Sequence, residues 1–260
     1  MLQQIEAIVR EAGALVLGAD AEKGVEEKSG HQDLVTRYDG AVQALLERRL
    51  LALLPEAGFL GEEEQAGDGH TERRLVFVVD PIDGTTNFVK GYNHSGISVG
   101  LCDNGQMELG VVYNPYTNEL FSAKRGGGAY LNGKRLGLKP CALDRAITLL
   151  GTSPYYRQYA DVTFAMARML YDRSMDLRRS GAASLDLCYL AAGRIDCYFE
   201  CLLSPWDLAA GSLIAQEAGA VVTDLQGKPL PFDRKSSLAA ANPGCHADLL
   251  DIAKSCGFQP

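Results

Sequence analysis

In Leu75-Val76-Phe77-Val78-Val79-Asp80-Pro81-Ile82-Asp83-Gly84-Thr85-Thr86-Asn87-Phe88 a branched apolar run passes directly into two acids, a glycine and two threonines. An apolar strand that ends in carboxylates delivers them to the edge of a sheet, where ligands bind in layered α/β proteins. Pro81 lacks a backbone donor and has a fixed φ, so it sets the turn expected after Asp80. Gly84 and Thr85 are placed to open a helix, whose free N–H groups and positive dipole end suit a phosphate. Acids beside anion-binding amides make chemical sense if divalent cations lie between them. Helix capping needs only one such acid.

On the N-terminal side, Leu2, Ile5, Ile8/Val9, Ala12 and Leu15/Val16 recur at helical spacing. A second helix is expected from about Asp39, carrying Val42, Leu45/Leu46 and Leu53, until Pro55 stops it. On the C-terminal side, Ile97–Cys102, Leu109–Tyr113, Leu120–Ala123 and Ala129–Leu131 read as short strands joined by Asp103-Asn104-Gly105, Asn114-Pro115 and Gly126-Gly127-Gly128. That is an antiparallel meander covered by the two helices. After Gly137 strands and helices alternate: strands at Ile147–Leu150, Asp176–Arg179, Asp196–Glu200, Ala220–Thr223 and Ser237–Ala241, with helices between and after them. The expectation is an α/β protein forming one unit over 1–260, with an α+β half (1–137) and an α/β half (138–260). The polar stretch Glu62–Arg74 interrupts the first half without dividing domains.

At 260 residues the chain can bury a large core without metal or disulfide staples. Its 47% hydrophobic and 22% charged residues exclude a disordered or fibrous chain. No apolar run reaches the length of a membrane span, so no membrane partner is expected. Met1 leads into a polar amphipathic stretch and not a secretory leader. The seven cysteines are an odd number without a C-x-x-C pair, and read as reduced, mostly buried thiols of a cytoplasmic protein. The net charge of −8 argues against nucleic acid as the main partner, since phosphate-backbone binding needs a basic face. A site for phosphorylated substrates on such a chain calls for metal ions.

Two further acidic groups fit that need: Gly61-Glu62-Glu63-Glu64, and Asp207 in Pro205-Trp206-Asp207-Leu208-Ala209-Ala210-Gly211, at a helix start beside the only tryptophan. An all-oxygen ligand set points to Mg²⁺ or Mn²⁺, not zinc. His31, His70, His94 and His246 share no spacing and read as surface or structural residues. The D-x-D-G-T arrangement of the haloacid-dehalogenase phosphatases is a poor match. Asp80 and Asp83 are three apart, not two, which takes them off a common strand face unless a turn intervenes.

Taken together, these segments resemble the inositol monophosphatase family, within the superfamily that includes fructose bisphosphatases. The resemblance runs in order through Lys28-Ser29-Gly30-His31-Gln32-Asp33-Leu34-Val35-Thr36-Arg37-Tyr38-Asp39, Gly61-Glu62-Glu63, Asp80–Phe88, Arg179-Ser180-Gly181-Ala182-Ala183, Glu200, Trp206-Asp207 and Glu217-Ala218-Gly219. It implies a five-layered αβαβα sandwich, a homodimer, and Mg²⁺-dependent hydrolysis of a small phosphorylated substrate, with lithium sensitivity. It also implies that Glu62, Asp80 and the Ile82 carbonyl hold one metal, that Asp80, Asp83 and Asp207 hold a second, and that a third ion sits near Glu62.

By the same resemblance, Thr85, oriented by Asp39, positions the attacking water, and the N–H groups of Gly84 and Thr85 hold the phosphate. Ala183 and Glu200 match contacts to polyol hydroxyls, while Ser204 stands where some animal members have His. Thr86-Asn87-Phe88 favours the inositol-phosphate branch over the bisphosphonucleotide branch, which more often has Lys-Glu-Phe. Histidinol phosphate and sugar phosphates stay open as substrates. So does a regulatory role like that of bacterial relatives that bind RNA or the transcription machinery.

Overall fold

The structure, a computed structural model, describes residues 1–19, 25–30, 33–63 and 73–259, with only the backbone of 25–30 and 33–35. His31, Glu64 and His70 lie outside the described residues, as does most of the expected polar stretch between Glu62 and Arg74.

Helices α1 (Leu2–Leu17) and α2 (Arg37–Leu53) flank a hairpin of β1 (Val25–Gly30) and β2 (Asp33–Thr36). The second helix starts two residues earlier than its apolar pattern suggests, because Thr36 and Asp39 form a capping box: Thr36 N–H donates to Asp39 Oδ2 at 2.7 Å, and Tyr38 N–H to Thr36 Oγ1 at 3.2 Å. The meander is present as a seven-stranded sheet in sequence order: β3 (Gly58–Gly61), β4 (Leu75–Asp83), β5 (Gly96–Asp103), β6 (Gln106–Asn114), β7 (Glu119–Lys124), β8 (Gly128–Leu131) and β9 (Lys134–Arg135). Only the β3–β4 pair is parallel. The short helix α3 (Thr85–Val89) joins β4 to β5. Period-two alternation divides the buried residues of β4: Phe77 and Val79 pack with α1 and α2, whereas Val76 and Val78 face the opposite layer.

The second sheet holds β10 (Ile147–Leu150), β11 (Asp176–Arg178), β12 (Cys197–Leu203), β13 (Val221–Thr223) and β14 (Ser236–Ala241), in the order β11-β10-β12-β14-β13. Helices α4 (Ala160–Arg173) and α7 (His246–Ser255) cover its outer face. Between the sheets lie α5 (Ala183–Ala191) and α6 (Pro205–Glu217). Every residue of α6 from Leu208 to Ala215 is buried, as befits a helix apolar all round. The order from one outer face to the other is therefore helix, sheet, helix, sheet, helix. The helix that precedes β11 begins at Ala160, after a 3₁₀ turn at Arg157–Tyr159.

The middle layer sits unusually close to the first sheet. Gly100 and Gly110 are cross-strand partners on β5 and β6. A Cβ on Gly110 would lie 2.7 Å from the Ala210 carbonyl oxygen, and one on Gly100 would lie 3.1 Å from Ala209 Cβ. Two bare backbones thus make the seat for the Ala209-Ala210-Gly211 turn of α6.

Candidate active site

The decisive strand does not stop at Asp80. β4 continues through Pro81 to Asp83, and the expected turn is replaced by a bulge: Asp80 pairs with Ser98, but Asp83 pairs with Gly96. Three steps on β4 match two on β5, so one extra residue resets the alternation. A regular strand would send two acids three apart to opposite faces. The bulge instead brings both to one cluster. Ile82 N–H donates to Asp80 Oδ1 at 3.1 Å. Gly84 follows with φ 84°, a left-handed conformation that suits glycine, and opens α3 as expected. The Thr85 hydroxyl lies 3.1 Å from the Ile82 carbonyl oxygen and 3.4 Å from Asp39 Oδ1.

Asp207 arrives from the other side. Ser204 is the N-cap of α6, and its N–H donates to Asp207 Oδ2 at 2.7 Å, so Asp207 serves the helix start and the cluster together. One carboxylate oxygen each from Asp80, Asp83 and Asp207 lie within 4.8 Å of one another. Glu62 stands just beyond β3, its N–H donating to the Val79 carbonyl at 3.2 Å. Burial pushes the Asp80 carboxyl well above its usual range, and Glu62, Asp83 and Asp207 push it further. Asp207 is raised by loss of solvent and then by Asp83 and Glu62, against its bond from Ser204. Asp83 rises to about 6 through burial, moderated by hydrogen bonds from Ser184 and Ala183. Carboxylates packed this tightly repel one another unless a cation stands among them, and the donors are all oxygen. The residues therefore fit Mg²⁺ or Mn²⁺.

The cluster forms the floor of a cleft of about 520 Å³ that also draws on Ala183, Glu200 and Ser204. Glu200 lies within β12, not at its end as the sequence suggests, and pairs with Leu238 before a bulge. It accepts from Ser153 N–H at 2.7 Å and from the Tyr198 hydroxyl at 2.8 Å, and burial raises its pKa. A Cβ at Gly151 would fall 1.8 Å from Glu200 Oε2, so this carboxylate fits only against bare backbone.

The family model described as the inositol monophosphatase family matches residues 1–257. The chain belongs to the inositol monophosphatase family. It is 40% identical to the Nus factor SuhB of Escherichia coli over 230 residues, 87% of this chain and 86% of that protein. It is 34% identical to the inositol-1-monophosphatase of Bacillus subtilis over 94% of this chain and 92% of that one. The crystal structure of the extragenic suppressor protein suhB from Bartonella henselae superposes with a TM-score of 0.90 at 32% identity, covering 97% of each chain. The inositol monophosphatase family is one of metal-dependent phosphatases acting on small phosphate esters, and Asp80, Asp83 and Asp207 form an acidic cluster that could hold a cation.

Within this inositol monophosphatase-family cleft, several residues escaped the sequence reading. Asp186 on α5 is a fully buried carboxylate that lines the cleft, accepts from the Ser180 hydroxyl, and is raised well above its usual pKa by burial. Ser153 and Tyr198 brace Glu200. Tyr198 was detectable, since its i, i+2 spacing from Glu200 on a strand places both on one face. Ser153 was not, because it comes from a loop 47 residues away. Of the two described histidines, His94 packs edge-on against Tyr189 with centroids 5.5 Å apart, and His246 Nε2 lies 3.0 Å from Thr223 Oγ1. Both are structural, as expected. All seven cysteines are free thiols, five of them buried. No helix among the described residues is long and apolar enough to cross a membrane.

Proposed function

We propose that the protein is a Mg²⁺-dependent phosphomonoesterase that hydrolyses myo-inositol monophosphate to inositol and phosphate. The observation that carries this reading is the convergence of Asp80 and Asp83 from the first sheet with Asp207 from the middle layer, at the floor of a cleft that also contains Glu200. In this reading Glu62, Asp80 and the Ile82 carbonyl would hold one ion, Asp80, Asp83 and Asp207 a second, and a weaker third would sit beside Glu62. Bound there, such ions supply Lewis-acid polarisation of the phosphoryl oxygens and lower the pKa of water.

The remaining work falls to the chain. Thr85, held by Asp39 and the Ile82 carbonyl, directs its hydroxyl at the attacking water. The N–H groups of Gly84 and Thr85 bind the phosphate. Ala183 and Glu200 receive the polyol, Glu200 as a hydrogen-bond acceptor that stays outside phosphoryl transfer. The acids come from both 1–137 and 138–260, which supports reading the chain as one functional unit. A homodimer in the cytoplasm completes the proposal.

The test is phosphate release from inositol 1-phosphate, histidinol phosphate, a sugar phosphate, a 3′,5′-bisphosphonucleotide and an aryl phosphate, with Mg²⁺ or a chelator present. Turnover of inositol 1-phosphate that stops on chelation is expected. Absence of turnover on every ester overturns the reading. A faster rate on another ester reassigns the substrate. Millimolar Li⁺ is expected to inhibit, and insensitivity alongside good activity would mean a differently built second metal position. A regulatory role is favoured by one observation, the 40% identity to a protein named a Nus factor. The net charge of −8 counts against direct RNA binding.

A further inference from the structure

Asn87 of the Asp80–Phe88 segment and Ser180 of Arg179-Ser180-Gly181 have no task in the chemistry proposed above, and neither has the cleft acid Asp186. The three are joined in series. The Asn87 amide donates to the Ser180 carbonyl at 3.0 Å and to the His94 carbonyl at 2.8 Å. The Ser180 hydroxyl donates to Asp186 Oδ1. Asp186 is 2% exposed and sits in the first turn of α5, its N–H donating to the Ala182 carbonyl at 3.0 Å. The series therefore runs from α3, in the first half of the chain, to α5, in the second, with 93 residues between Asn87 and Ser180.

These bonds close around Gly84. A Cβ there would stand 3.0 Å from the Gly181 carbonyl oxygen, 3.1 Å from Ala182 Cβ and 3.2 Å from the His94 carbonyl oxygen. The contacts come from the same two loops that Asn87 ties together. Gly181, with φ 94°, is the bare joint between them: a Cβ on it would meet Asn87 Nδ2 at 3.2 Å. In the function proposed above, the N–H groups of Gly84 and Thr85 hold the phosphate, while Ala183 and Glu200 receive the polyol. The Ser180 turn thus sets the spacing between the two ends of the substrate. Asn87 fixes that turn from α3, and Asp186 fixes it from α5.

We propose that Asp186 is a positioning residue: through Ser180 and Asn87 it holds the Gly84 turn against the start of α5, and so aligns the phosphate of a bound ester with its alcohol. The proposal deepens the phosphatase reading above and rests on it. An ester held at both ends depends on that spacing, whereas an aryl phosphate, held at the phosphate alone, does not. Both sets of contacts survive when the series is broken. What is lost is the alignment that lowers the barrier, so the loss should fall on kcat and not on KM.

The experiment is a double-mutant cycle on Ser180→Ala and Asp186→Ala, with kcat and KM measured for inositol 1-phosphate and an aryl phosphate in saturating Mg²⁺. Both single variants and the double variant are expected to lose about tenfold in kcat for inositol 1-phosphate, the size of one shared hydrogen bond. KM and the aryl phosphate rate should stay within about twofold of the wild type. Ser180→Thr, which keeps the hydroxyl, should restore kcat, and its contrast with Ser180→Ala decides the matter if Asp186→Ala does not fold. Losses that multiply in the double variant would mean that Asp186 meets the substrate itself. Equal losses on both esters would mean that it only supports the fold. Either result overturns the proposal, as does an unchanged kcat. A wild type that releases phosphate from neither ester would instead overturn the phosphatase reading, and one that hydrolyses only the aryl ester would overturn the polyol assignment; the proposal falls with either.

Discussion

Asp83 and Ser184, 101 residues apart, are joined twice: the Ser184 N–H donates to Asp83 Oδ2 at 2.8 Å and the Ser184 hydroxyl donates to the same oxygen at 2.5 Å. Ala183 N–H reaches the other oxygen at 3.2 Å. The first turn of α5 therefore grips the carboxylate that closes β4, and these bonds work against burial to keep Asp83 ionisable near neutrality.

Removing the hydroxyl alone tests that balance. Ser184→Ala should raise the Asp83 pKa above its value of about 6. A protonated carboxyl cannot hold a cation, so the Mg²⁺ concentration for half-maximal activity should rise roughly tenfold near pH 6.5. The defect should shrink toward pH 8.5. A loss of equal size at both pH values would mean that Ser184 acts by position alone.

Asp83→Asn removes the charge while nearly preserving volume. The rate should fall by roughly 10³-fold or more if the second metal contributes several kcal/mol to the transition state. Because the amide also faces the Ser184 and Ala183 donors, a thermal melt must accompany the kinetics. Undiminished turnover in a folded variant would end the two-metal assignment.

Glu200→Ala should lower kcat/KM for inositol 1-phosphate about 10–100-fold, the worth of a hydrogen bond to a charged acceptor. An aryl phosphate, with no hydroxyls to offer, should lose much less. Equal losses on both substrates would mean that Glu200 supports the fold, since its removal strands the Ser153 and Tyr198 donors. No loss on either would remove it from the site.

Metal removal should carry a pH signature. Asp83 has a folded-state pKa of about 6 against an ordinary 3.8, so between those values the metal-free folded state binds more protons than the unfolded chain. Its destabilising effect is absent below about pH 4 and complete above pH 6, where it amounts to roughly 3 kcal/mol. Stabilisation by Mg²⁺, read as the difference in urea midpoint between loaded and chelated protein, should therefore widen from pH 4.5 to 7. A difference that is constant or narrows over that range would show that the carboxylates are not held as close as described.

The layers and the acids were legible for a simple reason: both are written in local pattern. Branched residues around Phe77 and Val79 signal a strand, and two acids flanking Pro81-Ile82 exceed what a cap requires. The bulge between Asp80 and Asp83 was not legible, because it depends on the register with Ser98 and Gly96 on another strand. Asp186 was hidden for a related reason. Within Ala183-Ser184-Leu185-Asp186-Leu187 nothing marks an acid as buried, and only the packing of α5 between two sheets makes it so. Ser153 and Glu200 meet across 47 residues, a separation that no local periodicity spans.

Gly100 and Gly110 offer no side chain to any ligand, yet their bare backbones set the depth at which α6 rests and so the reach of Asp207. In a screen for inactive alleles, Gly110→Ala would score although it alters no ligand. The added methyl, 2.7 Å from the Ala210 carbonyl, would lift the helix and draw one acid away from the other two. Such an allele should be conditional: folded, silent at ordinary Mg²⁺, and revived when the medium is enriched in the cation.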